Sequence, residues 1–245
     1  MNGPWLDSPP HIKEKTTSSI HHNLPSLLKD CGKTKDIQQG MSLHTHICKF
    51  LNSHDTYLGN CLIEMYANCD RLDEALSSFH RITNPNLHSW NIVMNAFTKH
   101  KHFETALDIY HQMQNHELAP NTYTFVSVLN ACVSSSIHGV HEIHASIIEH
   151  GLMKDVIVCT SLMNIYSKKG GLHQAKLIFN DMHVKDVVSW NAIIASCTQN
   201  GSFDDALALF NTMKDQGFDP NHITFVCALD ACSSLGALRD GKEIH

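Results

Sequence analysis

The chain has no apolar run long enough to cross a bilayer, so no helical membrane span is expected. It has no excess of positive charge. With neutral histidines its net charge is −6 and its pI is near 6.3, which argues against gripping nucleic acid by bulk charge. A local groove can still differ from the average. There is no Cys-x-x-Cys pair among nine cysteines, an odd number, so a disulfide framework or a zinc ribbon is not expected. Glycine-rich phosphate loops, nucleophile elbows and a carboxylate pair outside the repeat pattern are all missing, which removes the common signatures of catalysis. Histidine is abundant, 20 of 245, yet His141-Glu142-Ile143-His144 is one residue short of a zinc-protease helix motif and would not place two ligands at i, i+4. No deaminase-type zinc signature is present, and no cofactor is expected. Residues 1–20 lack arginine and contain Asp7 and Glu14, with Pro4, Pro9 and Pro10. They read as a disordered lead-in and a weak targeting signal.

What the chain does have is itself, repeated almost 100 residues later. Ser89-Trp90-Asn91 returns as Ser189-Trp190-Asn191, Pro120-Asn121 as Pro220-Asn221, and Thr124-Phe125-Val126 as Thr224-Phe225-Val226. Tyr66, Leu72, Ala75 and Phe79 return at 166, 172, 175 and 179. Fixed-period self-similarity implies stacked units rather than a single core. Within each period three shorter units follow, each with two helical patterns. In the clearest, 187–221, the first helix is expected over about Trp190–Gln199, stopped by Asn200-Gly201. Ser202 is expected to cap the second helix, whose buried stripe reads Phe203, Ala206, Leu207, Leu209, Phe210 and Met213. Ala75, Ala106, Ala175 and Ala206 share one place and read as close helix crossings. Cys31, Cys132 and Cys232 share another and read as small buried apolar residues. Trp90 and Trp190 fall on the apolar stripe and read as core anchors.

This ordered pattern resembles the pentatricopeptide repeat family, in its plant PLS subclass, over about 21–245. The units are 21–55 (L), 56–86 (S), 87–121 (P), 122–155 (L), 156–186 (S), 187–221 (P) and a truncated L unit, 222–245. The L motifs carry Phe125, Ala131-Cys132 and Ile143-His144, and again Phe225, Ala231-Cys232 and Ile244-His245. The resemblance implies an all-α, right-handed α-solenoid superhelix of stacked helix-turn-helix repeats, with about thirteen or fourteen helices. It implies a non-enzymatic, sequence-selective single-stranded RNA-binding protein, one base per repeat, serving organelle RNA processing and C-to-U editing site recognition. The implied location is the mitochondrion or the chloroplast. The implied partners are organelle RNA and editing-factor proteins or a deaminase in trans, with no membrane and a monomeric chain. Members of the subclass often carry a deaminase domain after the repeats, so a chain ending inside a repeat reads as a fragment.

In this family the fifth and last residues of a P or S motif select the base and the second packs beside it. Carried over, the selecting pairs are Asn60 with Asn86, Asn91 with Asn121, Thr160 with Asp186, and Asn191 with Asn221. The packing residues are Tyr57, His88, Ile157 and Val188. The family's pairing rule then gives pyrimidine, pyrimidine, any, G, pyrimidine along the RNA from 5′ to 3′, with C somewhat favoured by Asn with Asn. Two alternatives stay open on the residues themselves. The Asn residues also suit helix N-caps, and His88 either stacks on a base or points to solvent. Pro25, Val126 and Val226 stand at the fifth place of the L units and cannot hydrogen-bond a base, so these units read as spacers. A different class of function, a scaffold holding a protein partner in its concave groove, fits the acidic balance.

Overall fold

A computed structural model describes residues 23–50, 55–134 and 136–236. The lead-in 1–20 and the end of the last unit lie outside these residues. Every regular element among them is helical. Helix α1 spans 23–34. It is followed by α2 (Ile37–Phe50), α3 (Thr56–Asn68), α4 (Leu72–His80), α5 (Leu87–Lys99), α6 (Phe103–Gln114), α7 (Thr122–Ala131), α8 (Ile137–Glu149), α9 (Val156–Lys168), α10 (Leu172–Asp181), α11 (Val187–Gln199), α12 (Phe203–Asp215) and α13 (His222–Leu235). A short 3-10 turn, Leu152–Lys154, precedes α9. The chain divides into two compact units, Met1–His100 and Lys101–His245.

In the first unit α3 packs on α2, α4 and α5. In the second, α7, α9, α11 and α13 pack successively on one another, while α8, α10 and α12 pair with their neighbours in that row. The sequence reasons are repeated in each. Ala75, Ala106, Ala175 and Ala206 are all fully buried, and a methyl side chain at that place lets two helices approach closely. Trp90 meets Phe79 edge-on, with centroids 4.7 Å apart at 70°, and Trp190 meets Phe179 at 4.7 Å and 71°. The same aromatic pair therefore joins corresponding hairpins in both units, in the T-shaped geometry that ring quadrupoles favour. Cys31, Cys132 and Cys232 are buried thiols outside any disulfide.

Three local expectations are corrected. Helix α11 begins at Val187, not Trp190, because Asp186 and Ser189 form a capping box ahead of the apolar stripe. Ser202 stands at the start of α12 with no side-chain cap hydrogen bond. The buried stripe of α12 is narrower than expected: Ala206, Phe210 and Met213 are buried, whereas Phe203, Leu207 and Leu209 are only half-buried. A helix packed on few neighbours buries one line of residues and leaves its flanks partly wet.

The recurring histidines and tyrosines also find each other. His44 Nδ1 lies 2.8 Å from Tyr66 Oη, and His144 Nδ1 lies 3.0 Å from Tyr166 Oη. His141 Nδ1 also reaches Tyr166 Oη, at 2.8 Å. His141 and His144 thus share a helix face at i, i+3 and converge on a hydroxyl. The phenol has one proton, so it donates to one ring and accepts from the other. Burial first, then Arg81, lowers the His44 pKa, and burial first, then His141, lowers that of His144. The folded state thus holds fewer protons than the unfolded chain. Stability is full above the ordinary histidine range and falls as pH drops through about 6.5. Thermal melts should show the midpoint falling between about pH 7.5 and 5.5, and a smaller fall in the double variant His44→Gln, His144→Gln. An equal fall in that variant would place the effect on other groups.

Candidate nucleic-acid interface

The last residue of each P or S unit is the N-cap of the next hairpin's first helix. Asn86 accepts from Ser89 N, Asn121 from Thr124 N, Asp186 from Ser189 N, and Asn221 from Ile223 N and Thr224 N. The capping alternative thus holds for Asn86, Asn121 and Asn221, and Asp186 caps in the same way. It does not compete with a second role, because an Asn that caps through Oδ1 still carries two N–H donors on Nδ2. The fifth residues lie one turn inside the first helices: Asn60 in α3, Asn91 in α5, Thr160 in α9 and Asn191 in α11.

Three of these fifth residues are buried polar side chains, with Asn60 6%, Asn191 7% and Thr160 8% exposed. The second residues beside them are the opposite, with Tyr57 64%, Ile157 61% and Val188 61% exposed, and His88 exposed too. Large side chains facing water thus recur beside sunken polar ones within each unit, outside the packed core. Asn60 Oδ1 and Thr160 Oγ1 have no hydrogen-bond partner among the described residues. A buried polar atom left unpaired costs about 1–3 kcal/mol.

The first unit has an open-sided cavity of about 540 Å³, within the roughly 300–1,000 Å³ typical of small-ligand sites. Tyr57 and His88 line it together with Asn60, and Pro25, Ser26, Lys29, Cys61 and Glu64 complete its walls. His88 therefore shares a cavity wall with Tyr57, where a flat ring would meet both. Lys29 and Glu64 were not singled out in the sequence. Their signal was available, since each stands four residues after a fifth-place residue, Pro25 or Asn60, and so on the same helix face. At the L units, Val126 is half-buried and Val226 is 65% exposed. Neither offers a hydrogen bond.

Nothing here resembles an activated nucleophile. Burial pushes the thiols of Cys61, Cys159 and Cys197 up to about 11, so each is a protonated, inert thiol at neutral pH. Among the described residues no group of three or more His, Cys, Asp or Glu side chains is placed to hold a metal ion.

Models of the PPR repeat family match residues 85–134 and 185–234, and models of the PPR repeat match 60–84 and 157–187, together more than half of the chain. The chain belongs to the pentatricopeptide repeat family. It is 32% identical to a mitochondrial pentatricopeptide repeat-containing protein of Arabidopsis thaliana, over 90% of this chain and 35% of that one. It is 33% identical to the chloroplastic CRR2 of the same plant, over 96% of this chain and 37% of the relative. The chain thus spans about a third of the length of these pentatricopeptide relatives. Its fold matches crystal structures of the pentatricopeptide repeat protein PPR10. The match to PPR10 in complex with an 18-nt psaJ RNA element has a TM-score of 0.70 at 18% identity, covering 96% of this chain and 36% of that one. The match to PPR10 from maize has a TM-score of 0.61 at 16% identity, covering 96% and 41%. The all-α solenoid of stacked hairpins is the fold of this family.

Proposed function

We propose that this pentatricopeptide chain is a sequence-selective single-stranded RNA-binding module that acts in organelle RNA processing and specifies sites of C-to-U editing, with the deaminase supplied outside residues 1–245. The observation that carries the binding step is the cavity lined by Tyr57, His88 and Asn60. Aromatic walls give a base its stacking surfaces, and an amide at the floor reads its edge. In the second unit Thr160 holds the corresponding place, with a buried hydroxyl that has no hydrogen-bond partner among the described residues. Supporting the reading, the PPR10 structure of like fold holds an RNA, and the relatives above are named mitochondrial or chloroplastic.

The selecting pairs remain those carried over from the family: Asn60 with Asn86, Asn91 with Asn121, Thr160 with Asp186, and Asn191 with Asn221. The repeats from 56 to 221 serve as the reading frame, and the L units act as spacers. Two measurements test this. RNA affinity should fall steeply with added salt, because backbone contacts release counterions; a salt-independent complex points instead to an apolar protein partner. Organelle transcripts sequenced from plants lacking the protein should lose editing at a pyrimidine-pyrimidine-any-G-pyrimidine site, and unchanged editing everywhere rejects the editing role.

A further inference from the structure

The pair Asn191 and Asn221 differs from the pair Asn60 and Asn86 in one respect that the letters conceal. Asn221 Oδ1 accepts from two backbone amides, Ile223 N at 3.0 Å and Thr224 N at 3.2 Å, so its oxygen is fixed in place at the start of α13. Asn191 lies 3.1 Å from that oxygen and must meet it with a donor, Nδ2. The Asn191 oxygen is thereby turned the other way, onto Thr224 Oγ1 at 2.5 Å. Thr224 is fully buried, and its hydroxyl accepts from Asn221 N at 3.0 Å. Its single proton is then free to go to Asn191, the shorter of its two oxygen contacts. Each step leaves one choice, and together they fix which end of the Asn191 amide faces which neighbour.

What remains unspent is one N–H of Asn191 and the two N–H groups of Asn221. The locked pair offers donors, and it lacks the freedom to swap a donor for an acceptor. Cytosine presents two adjacent acceptors, N3 and O2, on its pairing edge. Uracil interrupts its acceptors with the N3–H donor. In the unit 56–86 the equivalent of Thr224 is Ser89, whose hydroxyl goes to Asn86 Oδ1 at 3.1 Å and leaves Asn60 Oδ1 without a partner. That amide is unlocked.

We infer that Thr224 is a positioning residue for base selection: it holds the Asn191 amide with its N–H outward, so that the unit 187–221 separates cytosine from uracil more sharply than the unit 56–86 does. The inference rests on the RNA-reading function proposed above. A residue of the following, non-reading L unit would then sharpen the preceding one.

The test uses the full chain and RNAs of the form pyrimidine-pyrimidine-any-G-pyrimidine, with cytosine or uracil at the last position or at the first. Fluorescence anisotropy gives the ratio of the two Kd values at each place. The wild type should prefer cytosine at the last position by at least about fivefold and discriminate less at the first. Thr224→Val keeps the shape and removes the proton, and the last-position preference should shrink to within about twofold while the first is unchanged. Thr224→Ser should keep it. If the valine variant does not melt cooperatively, Thr224→Ala removes the hydroxyl without adding bulk and should give the same loss. A folded Val or Ala variant with full preference overturns the role of Thr224 alone. A wild type that binds the RNAs without preferring cytosine at the last position overturns the inference and leaves pyrimidine reading standing, whereas one that binds none of them overturns the RNA-reading function beneath it.

Discussion

Replacing Trp190 by alanine should destabilise the second unit by about 3–5 kcal/mol, the usual loss for emptying a buried tryptophan site. Trp190 is 1% exposed, meets Phe179 edge-on and lies 6.0 Å from Phe218, so it touches the hairpin before its own and the loop behind it. In a stack where each hairpin contacts only its neighbours, an emptied joint also weakens cooperation across it. Denaturant unfolding followed by circular dichroism should show an earlier and broader transition, with Trp190→Phe in between. Trp90→Ala should do the same in the first unit, where Phe79 takes the place of Phe179. A loss under about 1 kcal/mol would mean that the aromatic joint does not hold the hairpins together.

Removing the walls of the cavity should have its large effect on RNA and little on the fold. Tyr57→Ala and His88→Ala should each weaken binding by about 1–3 kcal/mol, the range for losing one base–aromatic stack. Both side chains are exposed, so neither truncation opens a core void. Tyr57→Phe keeps the ring and should bind nearly as wild type. Affinities of the three variants for one pyrimidine-rich RNA, set beside their melting curves, separate stacking from packing. Unchanged affinity in both alanine variants would remove stacking from the account.

The repeat made most of the fold legible. The alanine crossings, the Trp–Phe joints and the buried cysteines were all visible as residues recurring at one offset, because the same contact is made twice by the same letters. Contacts peculiar to one place were less visible. The box of Asp186 with Ser189 lengthened α11 because a cap acts before the apolar period begins. Leu207 and Leu209 are half-buried, flanking the buried line of Ala206, Phe210 and Met213. The histidines of the L units recurred plainly, yet their partner tyrosines lie 22 residues away, and His141 joins them only because it shares a face with His144. At the proposed site, the second and fifth residues come from the family pattern. Lys29 and Glu64 carry a weaker signal, one helical turn beyond a fifth-place residue, and Thr224 was not legible, because it reaches Asn191 only through helices packed side by side.

The most direct measurement of the central claim is binding of the chain to a short RNA of the form pyrimidine-pyrimidine-any-G-pyrimidine, against the same RNA with purines at the pyrimidine places. It is repeated with Asn91→Ala and Asn191→Ala combined. The base-reading account predicts tighter binding to the first RNA, and loss of that preference in a double variant that still folds. Equal binding of both RNAs by the folded wild type, or a preference that survives the double variant, would contradict it.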